Sequence, residues 1–149
     1  MDLEAEGETA LYDSLVFTLH YFSGIKGKRA LIVLSDGEDS SSRYSFDEAL
    51  EFARRSGVAI YSIGLGLPSG ELGARIRLQR FAADTGGRYF FISQASELSE
   101  IYDSIQKELR FQYLLAYQST DMEGDDFRRV EVRVSQPDLE AKTIPGYYP

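Results

Sequence analysis

The chain has no cysteine among its 149 residues. That absence removes disulfides, thiolate nucleophiles and zinc–thiolate centres together, and it leaves the redox compartment open. Positive charge is scarce as well: 16 Lys and Arg stand against 24 Asp and Glu, a formal net charge of −8. Nucleic acids and anionic membranes need clustered cations to displace counterions, so neither is an expected partner; a cation or a basic partner suits this surface better. No apolar run approaches the roughly 18–20 residues of a membrane helix. The acidic start, with Asp2, Glu4, Glu6 and Glu8, has neither the basic nor the apolar region of a secretion signal. The single histidine, His20, lies beside an apolar helical stripe with no Ser, Asp or Cys constellation to recruit it, which points to a structural or surface role. There is no Gly-rich phosphate loop ending in Lys-Ser or Lys-Thr. Gly64-Leu-Gly66 followed by Gly70 misses the dinucleotide spacing by one residue and contains Pro68, so nucleotide binding is not expected. Internal repeats and low-complexity segments are absent too.

What remains is a chain of one-domain length with 43% hydrophobic residues, enough to build a core. Its organising stretch is Lys28-Arg-Ala-Leu-Ile-Val-Leu-Ser-Asp-Gly-Glu-Asp39. Five consecutive apolar residues, Ala30 to Leu34, do not alternate, so the strand they form is expected to be covered on both faces, as in a parallel sheet flanked by helices. Ligands of such sheets bind beyond the carboxyl ends of the strands, where Asp36 falls.

Taken in order, residues 1–8 are polar and read as a frayed terminus. Thr9 is a candidate N-cap for a helix with Leu11, Leu15, Leu19 and Phe22 on one stripe. After the strand at 30–34, Ser45-Phe-Asp-Glu48 forms a capping box for a second helix that turns Phe46, Ala49, Leu50 and Ala53 inward and ends at Gly57. A strand over 58–63 follows, then a third helix to about Thr85 with Leu72, Ile76 and Phe81 facing in. Gly86-Gly87 stops it, a strand runs from Arg88 to Ile92, and Ser96 caps a fourth helix whose stripe is Leu98, Ile101, Tyr102, Ile105 and Leu109. This alternation is that of right-handed crossovers around a parallel sheet. The remainder, 111–149, predicts an antiparallel meander packed on the same domain, with strands over 113–117, 129–134 and 140–144 and an acidic loop at Asp121, Glu123, Asp125 and Asp126. In the second of these strands, Val130, Val132 and Val134 alternate with charges, so only one face should be buried.

Three segments together, Gly7-Glu-Thr9-Ala-Leu-Tyr-Asp13, Ala30-Leu-Ile-Val-Leu-Ser-Asp-Gly-Glu-Asp39 and Val58-Ala-Ile-Tyr-Ser-Ile-Gly64, resemble the second half of a von Willebrand factor type A domain. The continuation through Gly86-Gly-Arg-Tyr-Phe-Phe91, Tyr113-Leu-Leu-Ala-Tyr117, Phe127-Arg-Arg-Val130 and Pro145-Gly-Tyr-Tyr148 is similar to a bacterial subfamily of related proteins. The resemblance implies a partial doubly wound, Rossmann-like α/β fold over residues 9–110 and a non-enzymatic, adhesion-type domain. Its protein partner would offer an acidic residue to a metal-ion-dependent adhesion site holding Mg2+, Mn2+ or Ca2+. In the family three loops build that site, with Asp-x-Ser-x-Ser, a Thr and an Asp. Thr9 matches the second and Asp36 the third, with Glu38 and Asp39 as possible accessory residues. Asp-x-Ser-x-Ser occurs nowhere; Asp39-Ser-Ser-Ser-Arg43 comes nearest and fails at Arg43.

The departure implies a truncated chain with an incomplete site. Magnesium takes near-octahedral oxygen ligation, and one hydroxyl plus one carboxylate leave most of the shell to water, so binding in the millimolar range or weaker is expected of this pair. Loss of the first strands also makes the strand at Ala30 to Leu34 an edge, through which the chain would form a homo-oligomer unless the C-terminal strands cover it. Two other functions stay open: a fragment that self-associates and has no ligand, and a Mg-dependent hydrolase or phosphotransfer domain using Asp36. The resemblance further implies a secreted, periplasmic or cell-surface setting.

Overall fold

In the computed structural model, residues 7–67, 70–113, 115–117, 124, 126–139 and 141–148 are described. Three strands, β1 (Ala30–Ser35), β2 (Ala59–Leu65) and β3 (Tyr89–Ile92), form a parallel sheet in the order β1-β2-β3. Ala30 lies opposite Ala59, Ser35 opposite Gly64, and Ser62 opposite Tyr89. Helices α1 (Leu11–Tyr21), α2 (Phe46–Ser56), α3 (Leu72–Asp84) and α4 (Leu98–Arg110) flank the sheet. The expected α/β fold class is therefore the observed one.

Strand alternation divides the core in two. Ile60 of β2 packs with Leu15, Leu19, Leu50, Ala53 and Phe81 from α1, α2 and α3, while Tyr61 and Ile63 pack with Ile92, Ile101 and Ile105 under α4. Tyr12, Phe46 and Phe81, one from each of three helices, meet with ring centroids 5.2–6.2 Å apart. Such tilted and edge contacts add to the area that the rings bury. Between α2 and α3, Arg54 reaches Asp84 with two donors, at 2.5 and 3.2 Å.

The capping box of α2 forms as its sequence predicts. Ser45 Oγ accepts the Glu48 N–H at 3.3 Å, the Glu48 carboxylate accepts the Ser45 N–H at 2.8 Å, and Gly57 closes the helix in the left-handed region at φ 63°.

Four local expectations are corrected. Leu72 and Ile76 are 64% and 53% exposed; α3 instead buries Ala74, Leu78, Phe81 and Ala82. Two residues along a helix is a rotation of roughly 200°, so the bulky side chains fall on the outer face and two small alanines let α3 close on the sheet. Ser96 does not cap α4: a short 3-10 turn, Ala95–Glu97, precedes that helix, and the Glu97 carboxylate accepts the N–H groups of Ser93 and Gln94. On α4 itself, Tyr102 is 44% exposed while Ile101 and Ile105 are buried.

The strand at Ala30 to Leu34 is not covered on both faces either. Leu31 and Val33 pack against the α1–α2 side, but Ile32 and Leu34 are 38% and 46% exposed. The buried residues of α4 face β2 and β3, and among the described residues β1 stands at the end of the sheet, so the second face of β1 lies beyond the helix.

Among the described residues the C-terminal part has one short antiparallel pair, β4 (Arg128–Arg129) with β5 (Gly146–Tyr147), extended by the Val130 N–H donating to the Pro145 carbonyl at 2.9 Å. Among the described residues, the three predicted strands shrink to this pair. The described residues of 113–117 are in no strand, with Tyr113, Leu115 and Tyr117 exposed, because alternation licenses a strand without supplying a neighbour to pair with. Val130 and Val132 are half-buried between exposed Arg129, Glu131 and Arg133, as their alternation predicts, whereas Val134 is exposed. Residues 1–6, Asp121, Glu123, Asp125 and Glu140 lie outside the described residues. The segment ending at Tyr148 reaches the helices: Tyr148 donates to Glu51 of α2 at 3.1 Å, Arg55 lies 4.2 Å over its ring, and Lys142 stands 3.4 Å from Glu108 of α4.

Candidate functional site

At the carboxyl end of β1 the chain turns sharply through Gly37, whose φ of +76° disfavours any side chain. A Cβ there would meet Ala74 Cβ at 2.9 Å, so the turn is also pinned against α3. Ser35 Oγ accepts the Gly37 N–H at 2.9 Å, and the Asp36 carboxylate accepts the Glu38 N–H at 3.1 Å. Asp36 is thereby oriented at the end of the strand and is exposed, as is Glu38.

The following residues bind this loop to the start of α1. Asp39 Oδ1 accepts the Tyr12 N–H at 3.1 Å and the Ser42 hydroxyl at 2.5 Å, while Ser42 Oγ accepts the Asp13 N–H at 3.0 Å. In return the Asp13 carboxylate accepts the N–H groups of Arg43 and Tyr44 at 2.8 and 3.1 Å. The Thr9 carbonyl accepts from the Ser40 and Ser41 amides, and the Thr9 N–H donates to Ser40 Oγ.

Two sequence expectations change here. Thr9 is not the N-cap: Ala10 holds that position without a side-chain bond, and the cap comes across the fold from Asp39 and Ser42. Asp39 is accordingly not a free accessory ligand, because its oxygens are taken by amides and a hydroxyl. Burial raises the pKa of its carboxyl, but bonds from the Ser42 hydroxyl and the Tyr12, Ser42 and Leu11 amides outweigh burial and hold it below the ordinary value.

Thr9 and Asp36 thus sit on two segments that hydrogen bonds lace together at one end of the sheet, and both side chains are exposed. A hard divalent cation asks for about six oxygens. Among the described residues no group of three or more His, Cys, Asp or Glu is placed to hold a metal ion. Thr9 and Asp36 by themselves could therefore supply only part of the oxygen shell of such a cation, one hydroxyl and one carboxylate. Asp13, Ser40 and Ser42 build the framework of the site, and their signal in the sequence is confined to the 7–13 segment and the Asp39-Ser-Ser-Ser run.

A parallel sheet ending in this acidic turn, with a helix N-terminus tied to it, accompanies a direct family match: the profile of the von Willebrand factor type A domain covers residues 1–104. The chain belongs to the von Willebrand factor type A domain family. Domains of this family generally serve protein interaction, and many bind a divalent metal at an adhesion site. Among solved structures, this type A domain is similar to the conserved hypothetical protein BatB from Bacteroides thetaiotaomicron, at 18% identity and a TM-score of 0.53, over 74% of this chain and 63% of that one. That likeness shows the fold. An uncharacterized membrane spanning protein from Vibrio fischeri is also similar, with 30% identity and a TM-score of 0.47 over 61% of this chain and 52% of that one. The chain spans less than two thirds of the length of either neighbour. No curated protein sequence matches it. Among the described residues no helix is long and apolar enough to cross a membrane.

Proposed function

We propose that this von Willebrand factor type A domain is a non-enzymatic protein-binding module that contacts its partner at the carboxyl end of β1. Thr9 and Asp36 are the residues of an adhesion site that is incomplete in this chain. The observation that carries the reading is the lacing of the Thr9 segment to the loop after Asp36, which leaves an exposed hydroxyl and an exposed carboxylate on one rim. Asp39, Asp13 and Ser42 act as the frame that holds the rim. A partner's acidic side chain would be recognised there only with a cation between the carboxylates, since like charges in direct contact repel.

Calorimetric titration with Mg2+ and Mn2+ tests this, using the chain and its Asp36→Ala variant. The expected result is weak saturable binding, with Kd in the millimolar range or weaker, that the variant loses. Identical titrations of the two proteins would remove Asp36 from the proposed site and sink the cation-assisted reading.

A further inference from the structure

α3 lies over β2 and β3 with α2 beside it, and it turns Ala74, Leu78, Phe81 and Ala82 toward them. At roughly 100° per residue the opposite face carries Leu72, Ile76, Gln79 and Ala83, all of them exposed. Leu72 and Ile76, one turn apart, are the large apolar groups of this stripe. Arginines border it on both sides. Arg75, toward β3, lies 3.9 Å over the Phe91 ring and donates to the Leu67 carbonyl at 3.4 Å. Across the stripe, Arg77 donates to the Gly37 carbonyl at 3.2 Å, and Arg80 lies 5.3 Å over the Phe46 ring of α2. Of these three, only Arg80 meets a carboxylate among the described residues, Asp47 at 4.0 Å. The helix itself contains one acidic residue, Asp84, and Arg54 of α2 binds it.

In a chain of net charge −8, a bare apolar stripe with arginines on both borders inverts the local character of the surface. We propose that the outer face of α3 docks an amphipathic helix of a protein partner, one with large apolar side chains on its contact stripe and Asp or Glu along both borders. Leu72 and Ile76 are the anchors at i and i+4 that a contact between two helices uses, and the guanidiniums stand where the acidic borders fall. The stripe from Leu72 to Ala83 is roughly 17 Å long, about three turns, and a partner helix of that length covers it. Each guanidinium is already held against a ring or a carbonyl, which reduces the side-chain freedom lost on docking. Two other occupants fit less well. A second copy of α3 would set arginine against arginine. An anionic bilayer would be repelled by the net charge, and the stripe offers it two large apolar side chains with no aromatic ring among them. Ala74 touches the Gly37 turn, so the docking face begins beside the rim that carries Asp36. It uses neither Thr9 nor Asp36 and does not rest on the adhesion-site reading.

The probe is a synthetic helical peptide of about 16 residues, with leucine on one stripe and glutamate on both borders, titrated into the isotope-labelled whole chain in EDTA and followed by amide NMR. The expected result is saturable binding with Kd of about 10–100 µM, weaker at higher salt, with the shifted amides confined to α3 and its borders. Ile76→Asp puts a charge on a side chain that already reaches solvent, and Arg75→Glu reverses one border. Each should weaken binding at least about tenfold while circular dichroism stays that of the parent. A peptide with lysine in place of glutamate should not bind, and one with alanine in place of leucine should bind at least about tenfold more weakly. No binding of the acidic peptide up to about 1 mM, equal binding of the lysine peptide, or indifference to Ile76→Asp would each overturn the proposal. Self-association of the chain through α3, or α3 shifts produced by phosphatidylserine vesicles, would name another occupant and overturn it as well. The Asp36→Ala variant should bind the peptide as the parent does. Dependence on Asp36 or on added Mg2+ would place the peptide on the adhesion rim and remove it from α3, so this outcome and that of the cation titration are read separately.

Discussion

Asp39 joins two turns of the chain that are 27 residues apart, through the Tyr12 amide. A carboxylate at a helix N-terminus satisfies N–H groups that have no partner inside the helix and meets the positive end of the helix dipole. Its loss should therefore be felt both in α1 and in the loop that presents Asp36. Asp39→Ala is expected to cost about 1–2 kcal/mol in urea unfolding at neutral pH, with Asp39→Asn costing less because the amide oxygen still caps. The sign of the pH dependence follows from the depressed pKa. The stabilisation is present above the unfolded value near 3.8 and is lost as pH falls through the folded value below it. Unfolding free energies measured between pH 6 and pH 2.5 should fall less steeply at the acid end in Asp39→Asn than in the parent; equal slopes would show that Asp39 is not one of the linked groups. Tyr61 is a residue of the opposite kind. Burial first, then the charge of Glu108 and the bond to it at 3.2 Å, push its hydroxyl up to about 12, because a second negative charge beside that carboxylate is disfavoured.

At the scale of the elements, α3 shows why the large apolar side chains were a poor guide. Leu72 and Ile76 lie on its outer face, whereas Leu78 is 1% exposed and Ala74 touches the Gly37 turn. Leu78→Ala should cost about 2–5 kcal/mol through the cavity it leaves, and Leu72→Ala and Ile76→Ala should stay within about 0.5 kcal/mol. Thermal unfolding of the three variants decides it, and a large loss at Leu72 would restore the face that periodicity favoured. By contrast, α2 is legible from its residues alone, since its cap, its stripe and its terminal glycine are all local. β1 stands between these cases. Its run of apolar residues predicts a strand correctly, but only the packing of α4 decides that Ile32 and Leu34 meet solvent.

Across the whole molecule, the chain after α4 is tied back to the α/β part by a few contacts far apart in sequence. Tyr148 to Glu51 and Arg55 is the one at its end. Tyr148→Ala removes a bond to a carboxylate and a cation–π contact, together about 1–2 kcal/mol, which for a domain of this size lowers Tm by roughly 2–8 °C. Tyr148→Phe should retain the ring contact and lose less. If both variants melt with the parent, the C-terminal segment contributes nothing to the stability of the helices.

The sequence by itself determined the order of helices and strands as far as α4, the parallel sheet, the family and the position of Asp36, because each follows from local periodicity, local caps or a contiguous motif. Only the tertiary structure decided what caps α1, which face of α3 is buried, how much of β1 meets solvent and how few of the described C-terminal residues pair as strands. Each of those depends on a partner distant in sequence: Asp39 and Ser42 for the amides of Tyr12 and Asp13, the sheet and the Gly37 turn for Ala74 and Leu78, the placement of α4 for Ile32 and Leu34, and Gly146 for Arg129. Hydrogen bonds and packing between segments far apart along the chain leave no periodic trace in either segment, and a residue such as Asp39 reads as a solvated turn until the fold brings a helix end to it.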